Sequence, residues 1–285
     1  MKIARYWEST YEPAQFNDGK PARVKGWGWS ETSPEEALQR ARAAAKRSAQ
    51  WLATGSAQAQ DYAEYDRPPR EEILREIQNE NGEVIATITR NSYGTQVINA
   101  ARLVFIDVDI PRESGMNSLT GGLKKLFGKP VETAEEKVRK RIEAAAHALP
   151  QYTFRLYRTA AGFRCMITNV ALDTRDARRS GLLETFGADA LYLQLCWNQE
   201  CYRARLTPKP WRVGVQRPPS RFPWLTPEEE QKYRLWQRDY EGRLAGYAVC
   251  RFETQYGREL PARELEPLIA LHDEMTGASS GLQLA

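Results

Sequence analysis

The stretch Leu103–Pro111 (LVFIDVDIP) constrains the fold more than any other part of the chain. Its run of branched and aromatic apolar residues is typical of a strand buried on both faces, and it leads into Asp107 and Asp109. Side chains two apart on a strand point to the same face, about 6.5–7 Å from each other. Carboxylates this close repel each other unless a cation lies between them, and Mg²⁺ and Mn²⁺ prefer carboxylate oxygens. The spacing predicts a divalent metal site; the alternative is a strand end whose aspartates are simply hydrated.

The elements around this strand predict the fold class. Ser33–Glu36 and Thr133–Glu136 have the cap residues of helix N-termini. Strands are predicted over 2–8, 23–30, 84–90, 95–99, 152–158, 162–169 and 202–206, and further helices over 173–187, over 188–201 and from Thr226. Strands mixed with helices in this order predict an α+β fold with helices packed mainly on one face of the sheet.

The same pattern suggests a division of the chain. We expect an α+β core over 1–225, a C-terminal helical element over 226–276 that packs on the core, and a disordered tail over 277–285. The segments 54–69 and 112–132 are predicted to be loops, since they are rich in small and polar residues and lack apolar periodicity.

Composition places the chain among globular proteins. The chain has 285 residues, of which 41% are hydrophobic, and its net charge of +4 does not decide for or against nucleic acid. No apolar run is long enough to cross a bilayer and no signal-peptide core is visible, so we expect a cytoplasmic protein without a membrane partner. The oligomeric state stays open.

The hairpin at Phe154–Ile167 carries a possible phosphate contact. Gly162 would let the backbone approach a ligand, and Thr159 and Arg164 could donate to a phosphate oxygen. The alternative is an ordinary hairpin whose arginines pair with surface acids.

The segment 202–224 is basic and contains no acid. Bases without counter-charges repel one another, so an anionic partner is the simplest stabiliser. Aromatic residues lie between the bases, as suits a nucleotide or a single strand, whose phosphates meet cations and whose bases stack on rings. The alternative is a proline-rich connection across an acidic surface. The bases are Arg203, Arg205, Lys209, Arg212, Arg217 and Arg221, and the rings are Tyr202, Trp211, Phe222 and Trp224.

The cysteines allow a second metal site. Cys196 and Cys201 are spaced C-x4-C, and Cys250 with His272 would complete a Cys₃His set for structural zinc if the C-terminal helix folded back. The alternative is that all are buried free thiols, which are common. Cys165, between Arg164 and Met166, is expected to be a core residue.

The order of these motifs resembles the archaeo-eukaryotic primase and primase-polymerase superfamily over residues 103–209. The resemblance implies an RRM-like mixed or antiparallel sheet that joins nucleotides with two divalent metal ions, Mg²⁺ or Mn²⁺. In that comparison Asp107 and Asp109 match the first metal motif and Asp189 the third carboxylate, with Asp173 and Glu253 as weaker matches. Thr159, Gly162 and Arg164 fall at the nucleotide-phosphate motif, and Arg203, Arg205 and Lys209 at the downstream nucleotide or template contacts.

Three functions remain open. A metal-dependent nucleotidyltransferase of primase-polymerase type, acting on nucleic acid, is the first expectation. A non-catalytic protein that binds nucleic acid or nucleotide on a primase-like fold is the second, because Arg164 stands where the family's second motif has a histidine. A metal-dependent nuclease is the third, since the same carboxylate pair could support it.

Overall fold

A computed structural model describes residues 1–54, 68–111, 132–188 and 190–285. The strands are β1 (Tyr6–Gln15), β2 (Pro21–Ser30), β3 (Glu72–Gln78), β4 (Val84–Arg90), β5 (Gln96–Ala100), β6 (Phe105–Asp109), β7 (Phe154–Thr159), β8 (Gly162–Ile167), β9 (Tyr202–Arg205), β10 (Tyr247–Ala248), β11 (Cys250–Tyr256) and β12 (Gln283–Leu284). The helices are α1 (Pro34–Thr54), α2 (Ala134–Ala148), α3 (Arg178–Thr185), α4 (Ala190–Gln199), α5 (Pro227–Gly242) and α6 (Glu266–Thr276). None of the helices in these ranges combines the length and apolar character needed to span a bilayer. The loop predictions over 55–67 and 112–131 lie outside the described residues.

The α+β fold class is confirmed. One antiparallel sheet, here called the central sheet, has the order β11-β7-β8-β6, and a second has the order β3-β4-β5-β9. From β6 to β9 the chain follows the order strand–helix–strand–strand–helix–helix–strand, which is that of a split βαβ unit with one additional helix before its last strand. Its last strand, β9, is hydrogen-bonded to β5 of the second sheet rather than to β6.

Helices lie on both faces of the central sheet. On one face the guanidinium of Arg139 from α2 lies 4.9 Å from the ring of Phe163, and Phe186, just after α3, lies 4.9 Å from Phe154. On the other face the imidazole of His272 from α6 lies 5.4 Å from the Phe105 ring and 5.1 Å from that of Tyr157. The alternation of side chains along β6–β8 therefore separates an apolar layer against α2 from a layer that faces α6.

Local sequence signals account for several elements. The capping box of α2 forms as predicted: the Thr133 hydroxyl oxygen accepts from the Glu136 amide at 3.1 Å, and the Glu136 carboxylate accepts from the Thr133 amide at 2.7 Å. Such a cap contributes about 1 kcal/mol. The hairpins β4–β5 and β7–β8 also form where the turn residues predict them.

The N-terminal hairpin is longer than the sequence indicated. β1 and β2 pair over ten residues each, and α1 packs along one face of them. This approach requires glycine, since a Cβ at Gly26 would lie 2.3 Å from the Ala41 carbonyl oxygen and a Cβ at Gly28 would lie 2.0 Å from that of Ala37.

The C-terminal part differs from the expectation. Residues 226–276 contain the helices α5 and α6, but they also contain β11, which pairs with β7 and forms an edge of the central sheet. The tail was expected to be disordered, but Gln283–Leu284 pairs with β10 and Ala285 is buried. Ala278 and Ala285 are buried against the rest of the chain, although the small residues of the tail had suggested disorder.

Candidate functional site

Asp107 forms an ion pair across the central sheet. β6 and β8 are antiparallel and place Asp107 opposite Arg164. Arg164 donates from Nε to Oδ1 of Asp107 at 2.7 Å and from Nη2 to Oδ2 at 3.1 Å. Both carboxylate oxygens therefore already accept from a cation. Arg164 has no exposed surface, whereas the Asp107 side chain is 35% exposed.

Arg164 also connects the sheet to two other elements. Its Nη1 donates to the carbonyl oxygen of Arg205, at the end of β9, at 3.0 Å, and to His272 Nε2 on α6 at 3.2 Å. Because the guanidinium has no acceptor, His272 must accept through Nε2 and carry its proton on Nδ1. That Nδ1 lies 3.0 Å from Oδ1 of Asp273 and donates to it.

This arrangement shifts several pKa values. Burial alone raises the pKa of Asp107, but the charge and hydrogen bonds of Arg164 outweigh it, so the net pKa is below its ordinary range. Burial lowers the pKa of His272 to about 4, and the neighbouring Arg164 charge acts in the same direction. At neutral pH the pair is thus ionised and the imidazole is neutral.

A second set of contacts attaches α6 to the central sheet. Burial raises the pKa of Asp273, but the hydrogen bonds from His272 and Tyr157 lower it by more, so the net pKa is below its ordinary value. The Tyr157 hydroxyl donates to Asp273 Oδ1 at 2.8 Å, and Arg155 lies 2.9 Å from Oδ2. His272 and Asp273 therefore cover the sheet face that also carries Asp107.

The fit of Asp107 to a divalent ion is poor. Arg164 occupies one lone pair on each Asp107 oxygen, and its positive charge beside them opposes the approach of a dication. Arg205 adds a further positive charge near the carboxylate. Asp109 is exposed on the same face of β6, while Asp189 lies outside the described residues. Within the part of the chain described, no group of three or more His, Cys, Asp or Glu side chains is placed to hold a metal ion.

The weaker carboxylate candidates have other partners. Asp173 accepts from the Arg175 amide at 2.8 Å, and Glu253 pairs with Arg139 of α2 at 2.7 Å.

The proposed zinc ligands do not form one group. Cys201 Sγ faces Asn99 and Gln199, whereas Cys250 and His272 lie beside α6 and the central sheet. Cys165, Cys196, Cys201 and Cys250 are all buried and none of them forms a disulfide, and burial raises the pKa of Cys201 to about 12. The thiols are therefore separate buried side chains, and Cys165 lies in the core as expected.

The Thr159–Gly162 turn is closed by hydrogen bonds between neighbouring side chains and the Gly162 backbone. The Thr159 hydroxyl oxygen accepts from the Gly162 amide at 3.1 Å, and Arg158 donates to the Gly162 carbonyl at 2.8 Å. A Cβ at Gly162 would lie 2.1 Å from the Val108 carbonyl oxygen. The glycine is therefore needed for the approach of β6 to β8, which is a different reason from the ligand contact that the sequence suggested.

The basic segment divides into a buried and an exposed part. Arg203 donates from Nη2 to both carboxylate oxygens of Glu71, at 2.6 and 2.8 Å, and both side chains are nearly buried. Its counter-charge comes from outside the segment, so Arg203 is a structural residue here. Arg205 is partly buried near Asp107, Asp109, Arg164 and Arg212, and burial lowers its pKa despite the acids. Among the described residues its side chain makes no hydrogen bond or ion pair.

The exposed part forms what we call the ring cluster: Tyr93, Lys209, Trp211 and Arg217. The Tyr93 and Trp211 rings meet edge to face at 5.3 Å, and they are 38% and 42% exposed. Arg217 lies 5.2 Å from the Trp211 ring and 5.8 Å from that of Tyr93, and Lys209 lies 5.4 Å from Trp211. Sequence analysis missed Tyr93, whose one signal was an aromatic residue at the tip of a predicted hairpin.

Helix α5 holds the ring cluster in place. Gly94, with φ +82°, brings the Tyr93 turn so close to α5 that a Cβ there would lie 2.1 Å from the Trp236 ring. Trp236 donates to the Gln216 carbonyl at 2.9 Å, and Tyr240 donates to the Pro208 carbonyl at 2.5 Å. One helix thus fixes both chain segments that carry the rings.

Comparison of the chain with family models, with curated proteins and with solved structures finds no match in any of the three. The resemblance to primases therefore stays a prediction from the motifs.

The Arg164–Asp107 pair can be tested by a double-mutant cycle. Asp107→Asn should cost about 3 kcal/mol or more, because it leaves a buried guanidinium without its counter-charge. The combination with Arg164→Met should cost less than the sum, with a coupling of about 1–3 kcal/mol measured by urea unfolding. The same cycle on the exposed pair Arg102–Glu264 should give less than about 1 kcal/mol. Additive losses at Arg164 and Asp107 would show that the pair is not a unit.

His272 should make stability depend on pH. Its pKa is about 4 in the folded chain and 6.5 as a free side chain. Between these values the unfolded chain binds more protons, so stability falls as pH falls from about 6.5 to about 4, by about 3 kcal/mol at most. His272→Gln should flatten this window in denaturation curves, whereas His147→Gln, the other histidine, should not. The lowered pKa values of Asp107 and Asp273 act in a separate window below their ordinary value of 3.8.

Proposed function

We propose that the protein binds single-stranded nucleic acid, and that the ring cluster is the contact surface. The single observation that carries this is the edge-to-face pair of exposed rings with cations over it, Tyr93 and Trp211 beside Lys209 and Arg217. Rings with accessible faces stack on unpaired bases, and the neighbouring cations attract phosphates.

The charge distribution near the ring cluster supports the proposal. Glu71 neutralises Arg203, but Arg217 and Arg221 are exposed in the same segment, and Arg205 offers donors that no described residue uses. Such a surface attracts a polyanion over several contacts, which makes the affinity dependent on salt.

The state of Asp107 favours binding over catalysis. The negative charge of Asp107 is already compensated by the buried Arg164. In the comparison with primases, Arg164 stands at the position of a histidine. A site of this kind has no need of a dication for its stability, so we expect nucleic-acid affinity to persist in a chelator.

The second candidate is the metal-dependent nucleotidyltransferase that the resemblance implies. One observation favours it: Asp107 keeps 35% of its side chain exposed, and Asp109 is exposed beside it. The acids can therefore be reached from solvent. A nuclease would need the same acids and has no separate support.

Binding is tested by fluorescence anisotropy with a labelled deoxythymidine homopolymer. Trp211→Ala should weaken binding by about 1–3 kcal/mol through lost stacking, and Trp211→Phe should retain most of the affinity. Arg217→Glu should reduce both the affinity and its salt slope.

The matched control for Arg217→Glu is Arg258→Glu, an exposed arginine on the turn after β11. Equal effects of the two charge reversals, or wild-type affinity in Trp211→Ala, would reject the ring cluster as the contact surface.

Nucleotidyl transfer is tested by extension of a primed template with Mn²⁺ and nucleoside triphosphates. The second candidate expects metal-dependent incorporation that is lost in Asp109→Ala while the fold, followed by circular dichroism, is retained. Incorporation at the level of a protein-free control rejects it and leaves the binding proposal intact.

A further inference from the structure

The N-terminal hairpin has two faces of different chemistry. Gly26 and Gly28 lie against α1, so the residues that alternate with them point away from the helix. We call the outward set the hairpin face; in the pairing register it comprises Trp7, Ser9, Tyr11 and Pro13 of β1 and Arg23, Lys25, Trp27 and Trp29 of β2.

Rings and cations lie close together on the hairpin face. Arg23 and Lys25 lie 4.8 and 5.1 Å from the Tyr11 ring, and Lys25 also lies 5.0 Å from the Trp27 ring. Arg70, just before β3, lies 4.9 Å from Trp27, and Arg40 of α1 lies 4.5 Å from Trp29. Tyr11 is 50% exposed, and both tryptophans are partly exposed.

The hairpin face carries no acid. Glu8 and Glu12 of β1 pair with Gly28 and Val24, on the side of α1. Within the described residues, Arg23 and Lys25 make no ion pair with a carboxylate, and what they contact is aromatic. The surface thus has net positive charge and several rings, and no described carboxylate neutralises these two cations.

We propose that the hairpin face is a second binding surface for single-stranded nucleic acid, separate from the ring cluster; it rests on the proposed function only for the class of ligand. Same-face residues on a strand are about 6.5–7 Å apart. In steps of this size the hairpin face runs from Trp29 and Trp27 to Lys25 and Arg23, with Tyr11 opposite Lys25. A single strand presents unpaired bases to rings and phosphates to cations along one line, so it can contact such a row of rings and cations at once.

The chemistry favours a single strand over the other polyanions. A duplex hides the faces of its bases, so the rings would contribute nothing to its binding. An anionic membrane would require the rings to insert into lipid, but the ammonium of Lys25 lies over both Tyr11 and Trp27, and this strongly hydrated charge opposes their insertion.

The test uses the full chain with charge reversals that leave the packing against α1 intact. Arg23→Glu with Lys25→Glu should weaken binding of a labelled deoxythymidine homopolymer about tenfold or more and lower the salt slope. Trp27→Leu should weaken it about tenfold through lost stacking, and Trp27→Phe should restore most of the affinity. The control is Arg42→Glu with Lys46→Glu, which makes the same charge change on the exposed face of α1. Thermal unfolding checks that every variant is folded.

Each outcome of this test either supports or overturns the proposal. Weakening by the hairpin variants with little change in the control supports the proposal. Equal weakening by both pairs overturns it, because net charge alone would then explain the effect. Loss of binding to phosphatidylserine vesicles with unchanged oligonucleotide affinity overturns it in favour of a membrane.

The two surfaces can be judged independently. If Trp211→Ala weakens binding and the hairpin variants do not, the ring cluster stands and the hairpin face is rejected. If the hairpin variants weaken binding and Trp211→Ala does not, the hairpin face stands and the ring cluster is rejected. No binding of the homopolymer by the wild-type chain rejects both.

Discussion

The buried guanidinium of Arg164 is the constraint on which the site depends. A charge removed from water is tolerated only when it is paired and its donors are satisfied, and this one is satisfied by Asp107, the Arg205 carbonyl and His272. The acceptors come from β6, β9 and α6, so one side chain joins the central sheet, the second sheet and the C-terminal helix. It also fixes the neutral tautomer of His272, whose Nδ1 then holds Asp273.

The pairing of Arg164 with Asp107 changes the interpretation of the two aspartates on β6. The acids of a metal site depend on a dication for charge compensation, but the strand partner of Asp107 already supplies a cation. The ring cluster and the hairpin face, in contrast, leave aromatic and basic side chains exposed. Both surfaces are built in the same way: glycines bring a strand or turn against a helix, and aromatic and cationic side chains are left on the outside.

Predictions that depended on neighbours in sequence succeeded, and those that depended on distant partners did not. The capping box at Thr133, the hairpins and the buried strand before Asp107 follow from interactions within a few residues. The Arg203–Glu71 pair joins residues far apart in the chain, so the apparent lack of counter-charge in the basic segment was misleading. The edge strand β11 and the tail strand β12 likewise acquire their structure from β7 and β10.

The sequence by itself determined the α+β class, the positions of most helices and strands, and the presence of basic and aromatic residues suited to a polyanion. Periodicity, caps and turn residues carry this information because they act locally. Only the tertiary structure decided which charged side chains are buried and paired inside the protein. Register placed Arg164 opposite Asp107, and the packing of α5 placed Tyr93 beside Trp211. Whether a charged group is buried and paired or left at the surface depends on residues that the chain brings together only when it folds.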